Sequence, residues 1–174
     1  TGAGRADLLE AGSYSIALET TLPLQNYANK TVTKFTGLFE LEDGNTMNSL
    51  VGTDGADTIT GSAGAEVIVS GAGKDTISTG GGADIIILAA GTGSTTLANS
   101  NTVSDFTDST DTFALDSSST LAAAFAELTV AADPNSLANT VISITATSEY
   151  LMTVTGVAYG LIDIADFVLT SDIA

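Results

Sequence analysis

The stretch Gly52–Ile87 decides the fold. Cut into nines, it is GTDGADTIT (52–60), GSAGAEVIV (61–69), SGAGKDTIS (70–78) and TGGGADIII (79–87). A glycine recurs at Gly55, Gly64, Gly73 and Gly82, and an acid follows two residues later at Asp57, Glu66, Asp75 and Asp84. Two residues further on stands an aliphatic, at Ile59, Ile68, Ile77 and Ile86. The upstream block DGNTMNSLV (43–51) keeps the phase, with Asn48 in the acid slot and Leu50 in the aliphatic one. A short fixed period of this kind predicts a solenoid, because a single repeat cannot bury its own apolar face and stacked neighbours build a common core.

The spacing has a mechanism. With two nonapeptides per coil, residues 18 apart stack on one edge at about one strand spacing, ~4.8 Å. Asp57 then lies over Asp75, Glu66 over Asp84, and Asn48 over Glu66. Two bare carboxylates ~5 Å apart repel by roughly 3 kcal/mol at an effective dielectric of ~20, so the pattern either tolerates that cost or places a cation between the acids. Glycine-rich turns admit positive φ and can aim backbone carbonyls inward. Carbonyls and carboxylates are hard oxygen ligands that suit six- to eight-fold Ca²⁺, whereas Mg²⁺ demands tighter octahedral geometry with retained water. Zinc and copper favour imidazole or thiolate, and the chain has no histidine or cysteine. The candidate calcium site therefore comprises Asp57, Asp75, Glu66, Asp84 and Asn48, with the turn residues Gly52, Asp54, Gly55, Gly61, Gly64, Gly71, Gly73, Gly80 and Gly82. The bland alternative is a metal-free turn with solvated acids. Eighteen residues on, Asp75 meets Gly93 and Asp84 meets Thr102, so the ladder is expected to end there.

The slot-eight isoleucines point inward, which turns their neighbours outward. One sheet then shows Thr58, Thr60, Thr76 and Ser78. The other shows Val51, Val67, Val69, Ile85 and Ile87. An aliphatic outer face marks an interface, covered either by another part of the chain or by a partner or sister subunit. Two coils of threonine are too few to argue for a flat ice- or carbohydrate-binding surface.

Around this body, residues 1–42 read as an N-terminal β cap or first irregular coil, with strands at 13–18 and 31–41. Asn29-Lys30-Thr31 fits a glycosylation sequon, a common triplet. Residues 43–101 are the repeat roll and 102–174 a C-terminal cap. Within the cap, 103–115 reads as strand, acidic turn, strand. Residues 117–128 have a hydroxyl N-cap and apolar positions Leu121, Phe125 and Leu128 at helical spacing, predicting a helix broken at Asp133-Pro134-Asn135. Segments 140–146 and 150–157 flank a short turn and predict a hairpin, and Phe167–Leu169 a final strand. The fold class is thus mainly all-β: a parallel β-roll of nonapeptide repeats with β-rich caps and one short helix.

Acids outnumber bases 21 to 4 across 174 residues, which repels nucleic-acid phosphates and anionic membrane surfaces. Such acidity accompanies disorder in polar chains, but a mean hydropathy of +0.33 argues against it here. Without cysteine there is neither a disulfide scaffold nor a thiolate metal site. No run of ~18 apolar residues predicts a transmembrane helix. The chain begins at Thr1 with no leader, which reads as processing or as a fragment.

The blocks resemble the RTX (repeats-in-toxin) family, with its G-G-x-G-x-D-x-aliphatic-x consensus, over residues 43–87. Val103–Leu115 resembles the D-F-x-x-x-x-D-x-aliphatic-x-aliphatic element that follows such repeats, and Gly156–Leu169 the C-terminal strand motif ending in Asp-Phe-aliphatic. Thr53, Ser62, Ser70 and Thr79 depart from consensus glycines, and Glu66 from Asp. The resemblance implies a calcium-binding parallel β-roll of a bacterial protein exported by type I secretion machinery. It also implies an uncleaved C-terminal signal, matched by the acidic, apolar tail Asp166–Ala174, and a chain that folds on meeting external calcium.

Without histidine or cysteine there is no zinc-protease motif, no Ser-His-Asp triad and no cysteine nucleophile. Asp105, Asp108 and Asp111 are clustered, but within a Ser/Thr-rich turn they read as a solvated or calcium-binding loop rather than glycosidase carboxylates. The chain is therefore expected not to be an enzyme. Two readings follow: an extracellular or cell-surface structural protein that self-assembles as a homo-oligomer or polymer into a layer, filament or matrix, and a C-terminal folding and secretion module of a larger exoenzyme or adhesin.

Overall fold

The computed structural model describes residues 37–40, 46–117 and 119–173. Strands expected at 13–18 and 31–36, and the Asn29 sequon, lie outside them. The elements in chain order are β1 (Gly37–Glu40), β2 (Thr46–Val51), β3 (Thr58–Thr60), β4 (Glu66–Val69), β5 (Thr76–Ser78), β6 (Ile85–Leu88), β7 (Asn101–Val103), β8 (Thr112–Leu115), α1 (Leu121–Ala126), β9 (Leu128–Asp133), β10 (Ser136–Ile144), β11 (Glu149–Val154) and β12 (Phe167–Leu169). They form two six-stranded sheets, in order β1-β2-β4-β6-β8-β12 and β3-β5-β7-β11-β10-β9.

Each nonapeptide yields one short strand and one glycine-rich turn, and successive strands alternate between the sheets. Pairing within the repeat is parallel at a step of 18 residues: Ile59 faces Ile77, Ile68 faces Ile86, and Asn48 faces Glu66. The slot-eight side chains fill the interior, and Ile59, Ile68, Ile77 and Ile86 are fully buried. Burying each is worth roughly 2 kcal/mol, enough to fix the register, because a one-residue slip would turn every isoleucine to water. Outside, Thr58, Thr60 and Thr76 are exposed. Val67, Val69, Ile85 and Ile87 are half-buried, while Val51 stays open.

The roll continues past Ile87. β7 pairs with β5, placing Val103 under Ile77, and β8 pairs with β6, placing Phe113 under Ile86. These steps span 26 and 27 residues because 89–100 leave the coil as a loop. Glu149 holds that loop, its Oε1 accepting from the amides of Gly91 and Gly93, both at 2.8 Å. β11 and β12 then add parallel strands to β7 and β8. The lowest rungs are aromatic: Phe113 stacks on Phe106 at 4.5 Å and lies 5.5 Å from Phe167.

Helix α1 closes this end, with the Thr120 hydroxyl accepting from the Ala123 amide and Phe125 edge-on to Phe167 at 4.9 Å. It is shorter than the expected 117–128. Leu128 sits at helical spacing from Leu121 and Phe125, yet it opens β9, because pairing to Ile144 on β10 overrides that weak local preference. The Asp133-Pro134-Asn135 break is instead the β9–β10 turn, where the Asn135 amide donates to Asp133 Oδ1 at 2.8 Å. β10 and β11 form the expected hairpin, antiparallel with a bulge at Ile142/Ser143.

Candidate metal centre

The turns join the sheets along two edges, and the slot-six acids line them. On the first edge, Asp57 Oδ2 accepts from the Thr53 amide at 2.6 Å and the Thr53 hydroxyl at 2.9 Å. The Asp57 amide donates to Asp75 Oδ1 at 3.0 Å. On the second edge, Glu66 accepts from the Ser62 amide at 2.9 Å and from the Ser62 hydroxyl, while its own amide donates to Asp84 Oδ1 at 2.8 Å. Asn48 Nδ2 donates to Glu66 Oε1 at 3.4 Å. Asp75 and Asp84 thus each spend one oxygen on the backbone of the coil above, whereas Asp57 and Glu66 each bind the backbone of their own turn.

The other oxygens are the anomaly. Asp75 Oδ2 and Asp84 Oδ2 are buried with no hydrogen-bond partner, in side chains 0 % and 1 % exposed. Burial first, against an opposing hydrogen bond from the Asp57 amide, pushes the Asp75 carboxyl up to about 6. Burial likewise pushes Asp84 up to about 7, helped by the negative charges of Asp111, Glu66 and Asp105. A buried unpaired carboxylate oxygen costs several kcal/mol unless a proton or a cation satisfies it.

The turn backbones set the remaining geometry. Gly52 and Gly61 lie so close to the coil below that an added Cβ would stand 2.0 Å from the Ser70 carbonyl oxygen and 1.8 Å from that of Thr79. Gly71, Gly73, Gly80 and Gly82 take φ of +85°, +120°, +91° and +116°, a region L side chains avoid. At Gly55 and Gly64 an added Cβ would meet only a hydroxyl at ordinary contact distance, Thr53 Oγ1 at 3.7 Å and Ser62 Oγ at 3.6 Å, and Asp54 is exposed. Among the described residues no three acidic side chains gather closely enough to hold a metal ion alone, so carbonyls must complete any coordination shell. An all-oxygen set of two carboxylates and turn carbonyls fits a hard, high-coordination cation such as Ca²⁺.

The acid ladder does not stop at Asp75 and Asp84, contrary to the 18-residue expectation. The Asp75 amide donates to Asn101 Oδ1 at 2.9 Å, and the Asp84 amide to Asp111 Oδ1 at 3.1 Å. Both partners stand two residues before an inward core residue, Val103 and Phe113, as Asp75 stands before Ile77. That spacing was the signal available in the sequence. The presumed cluster Asp105, Asp108 and Asp111 is divided. Asp111 is buried on the ladder. Asp105 caps the turn above, accepting from Ser78 Oγ, the Thr79 amide and the Gly80 amide. Burial alone would raise Asp105, but those hydrogen bonds hold it below the usual carboxylate range. Asp108 instead faces Asp166 at the C-terminal end, where burial and the Asp108 charge raise the Asp166 carboxyl.

If the Asp57/Asp75 pair holds an ion, replacing both by Ala raises the calcium concentration needed for β structure in a circular-dichroism titration. An unchanged midpoint would remove this pair from the site.

The RTX calcium-binding nonapeptide repeat family, in four copies, matches residues 43–77 and 60–94. Among solved structures, the chain is similar to the solution structure of the AlgE6R3 subunit from the Azotobacter vinelandii mannuronan C5-epimerase. Identity is 22 %, covering 71 % of this chain and 78 % of that one, with a TM-score of 0.44. No curated protein matches the chain.

Proposed function

We propose that this chain, an RTX calcium-binding β-roll protein, serves as a secreted structural protein whose calcium-fixed roll is the unit of an extracellular layer, filament or matrix. The observation behind this reading is the outer face of the β1-β2-β4-β6-β8-β12 sheet. There Val51 is 46 % exposed beside the half-buried row Val67, Val69, Ile85 and Ile87. A rigid sheet offering aliphatic side chains outward is suited to packing against a like surface. Calcium would set the rigidity and the apolar row the contact, and no catalytic step is assigned.

The alternative is a calcium-dependent folding and export module of a larger protein. The signal-like tail begins inside the core, with Phe167 and Leu169 buried on β12. Export machinery could bind that tail only while the chain is unfolded, and low calcium keeps it so. Export before folding is common to both readings.

Electron microscopy across a calcium titration separates them. The structural reading expects ordered polymers at millimolar calcium that dissolve on chelation. Monomers throughout would remove self-assembly and leave the module.

A further inference from the structure

We propose that the Glu66–Asp84 edge holds one more divalent cation, between Asp84 and Asp111, and that on the other edge the amide of Asn101 stands where the matching cation would sit. The inference rests on the calcium reading above and extends it to residues outside the matched repeats.

The turn 107–111 reproduces a repeat turn without its sequence. Asp111 Oδ2 accepts from the Thr107 amide at 2.8 Å, as Asp57 Oδ2 accepts from Thr53 and Glu66 Oε2 from Ser62, each four residues back. Ser109 takes φ +64° two residues before Asp111, the place where Gly73 and Gly82 take +120° and +116° before Asp75 and Asp84. A left-handed serine costs more than a left-handed glycine, and here the Ser109 amide donates to Asp166 Oδ1 at 3.5 Å. The rung is then joined as the others are, by the Asp84 amide on Asp111 Oδ1.

The two edges end differently at this rung. Asn101 Nδ2 donates to Ser70 Oγ at 3.3 Å, and Asn101 Oδ1 takes the Asp75 amide. Its NH₂ group supplies positive hydrogen atoms inside the rung, and a single carboxylate, Asp75, whose Oδ2 is also buried without a partner, faces it there. At the matching junction, Thr79 Oγ1 takes the place of Ser70 Oγ and lies between carboxylates, 3.4 Å from Asp111 Oδ2 and 3.2 Å from Asp105 Oδ1. No amide enters. Asp84 Oδ2 remains buried and unpartnered beside a second buried carboxylate. Two carboxylates, a hydroxyl oxygen and water form an all-oxygen set suited to Ca²⁺. An ion there would clamp the repeats to the rungs built from 101–115.

Native mass spectrometry of the full chain at saturating calcium counts the ions directly. Asp111→Asn is expected to bind one ion fewer than the wild type, and Asn101→Asp one more. Either variant keeping the wild-type count overturns the proposal. If Asp111→Asn yields no folded species, Asn101→Asp decides alone. A wild type that binds no calcium would overturn the calcium reading itself. A wild type that binds while Asp111→Asn binds equally would sink only the added site.

Discussion

Stripped of calcium near pH 8, the chain loses most of its β circular-dichroism signal, and acidifying the same calcium-free sample to about pH 5 restores much of it. The acid contacts are Asp57/Asp75, Glu66/Asp84 and Asp84/Asp111. At roughly 3 kcal/mol each they sum to about 10 kcal/mol of repulsion, comparable to the whole stability of a typical domain, about 5–15 kcal/mol. The apo roll at alkaline pH is therefore near or past its unfolding point. Acid reverses this because the folded pKa values are raised, to about 6 for Asp75 and about 7 for Asp84, above the ordinary 3.8. The folded chain then holds more protons than the unfolded one, so apo stability falls as pH climbs. The contribution is complete below pH 3.8 and gone once pH passes about 7. Asp105 has the opposite sign: its lowered carboxyl is stabilising above its ordinary value and loses that on strong acidification. The apo optimum therefore lies in mildly acid solution. Calcium binding must expel the protons on Asp75 and Asp84, so the holo protein gains stability over the same rise in pH. A calcium-free chain as structured near pH 8 as the calcium-loaded one would show that the acids are solvated and the ladder carries no such load.

What the sequence made legible follows the period. Where nine residues repeat without interruption, slot eight had to be core and slot six had to stack, and Ile59 over Ile77 with Asp57 beside Asp75 is the result. The reading failed where physics stopped needing the period. A coil can lengthen if the extra residues leave the roll, and 89–100 do so, held by Glu149 on the amides of Gly91 and Gly93. The 18-residue rule then pointed from Asp75 to Gly93 and from Asp84 to Thr102, although Asn101 and Asp111 keep the local acid-to-core spacing. Thr53-Asp54 through Asp57 and Thr107-Asp108 through Asp111 even share their ends. β9 was missed for another reason: Leu121, Phe125 and Leu128 fit one helical face, and only pairing with β10 shows that Leu128 belongs to a strand.

Gly61→Ala is expected to destabilise the calcium-loaded roll by about 3 kcal/mol or more, while Gly64→Ala, three residues away in the same turn, changes it by no more than about 0.5 kcal/mol. Neither glycine has a left-handed φ, so backbone strain does not distinguish them. The space does. An added Cβ at Gly61 would stand 1.8 Å from the Thr79 carbonyl oxygen and 2.9 Å from Glu66 Oε2, whereas at Gly64 the nearest atom is Ser62 Oγ at 3.6 Å. The Thr79 oxygen is backbone in the next coil, where the Gly61 amide bonds the Ser78 carbonyl at 2.8 Å. Relief requires the coils to part at that turn, against strand pairing on both sides of it. Parting them also moves Glu66 away from Asp84, so Gly61→Ala should need more calcium to fold as well as less urea to unfold. Urea melts at saturating calcium measure the first effect and a calcium titration the second. Equal stability for the two variants would mean that the coils are not in contact at this turn, and the close stacking on which the acid ladder depends would fall with it.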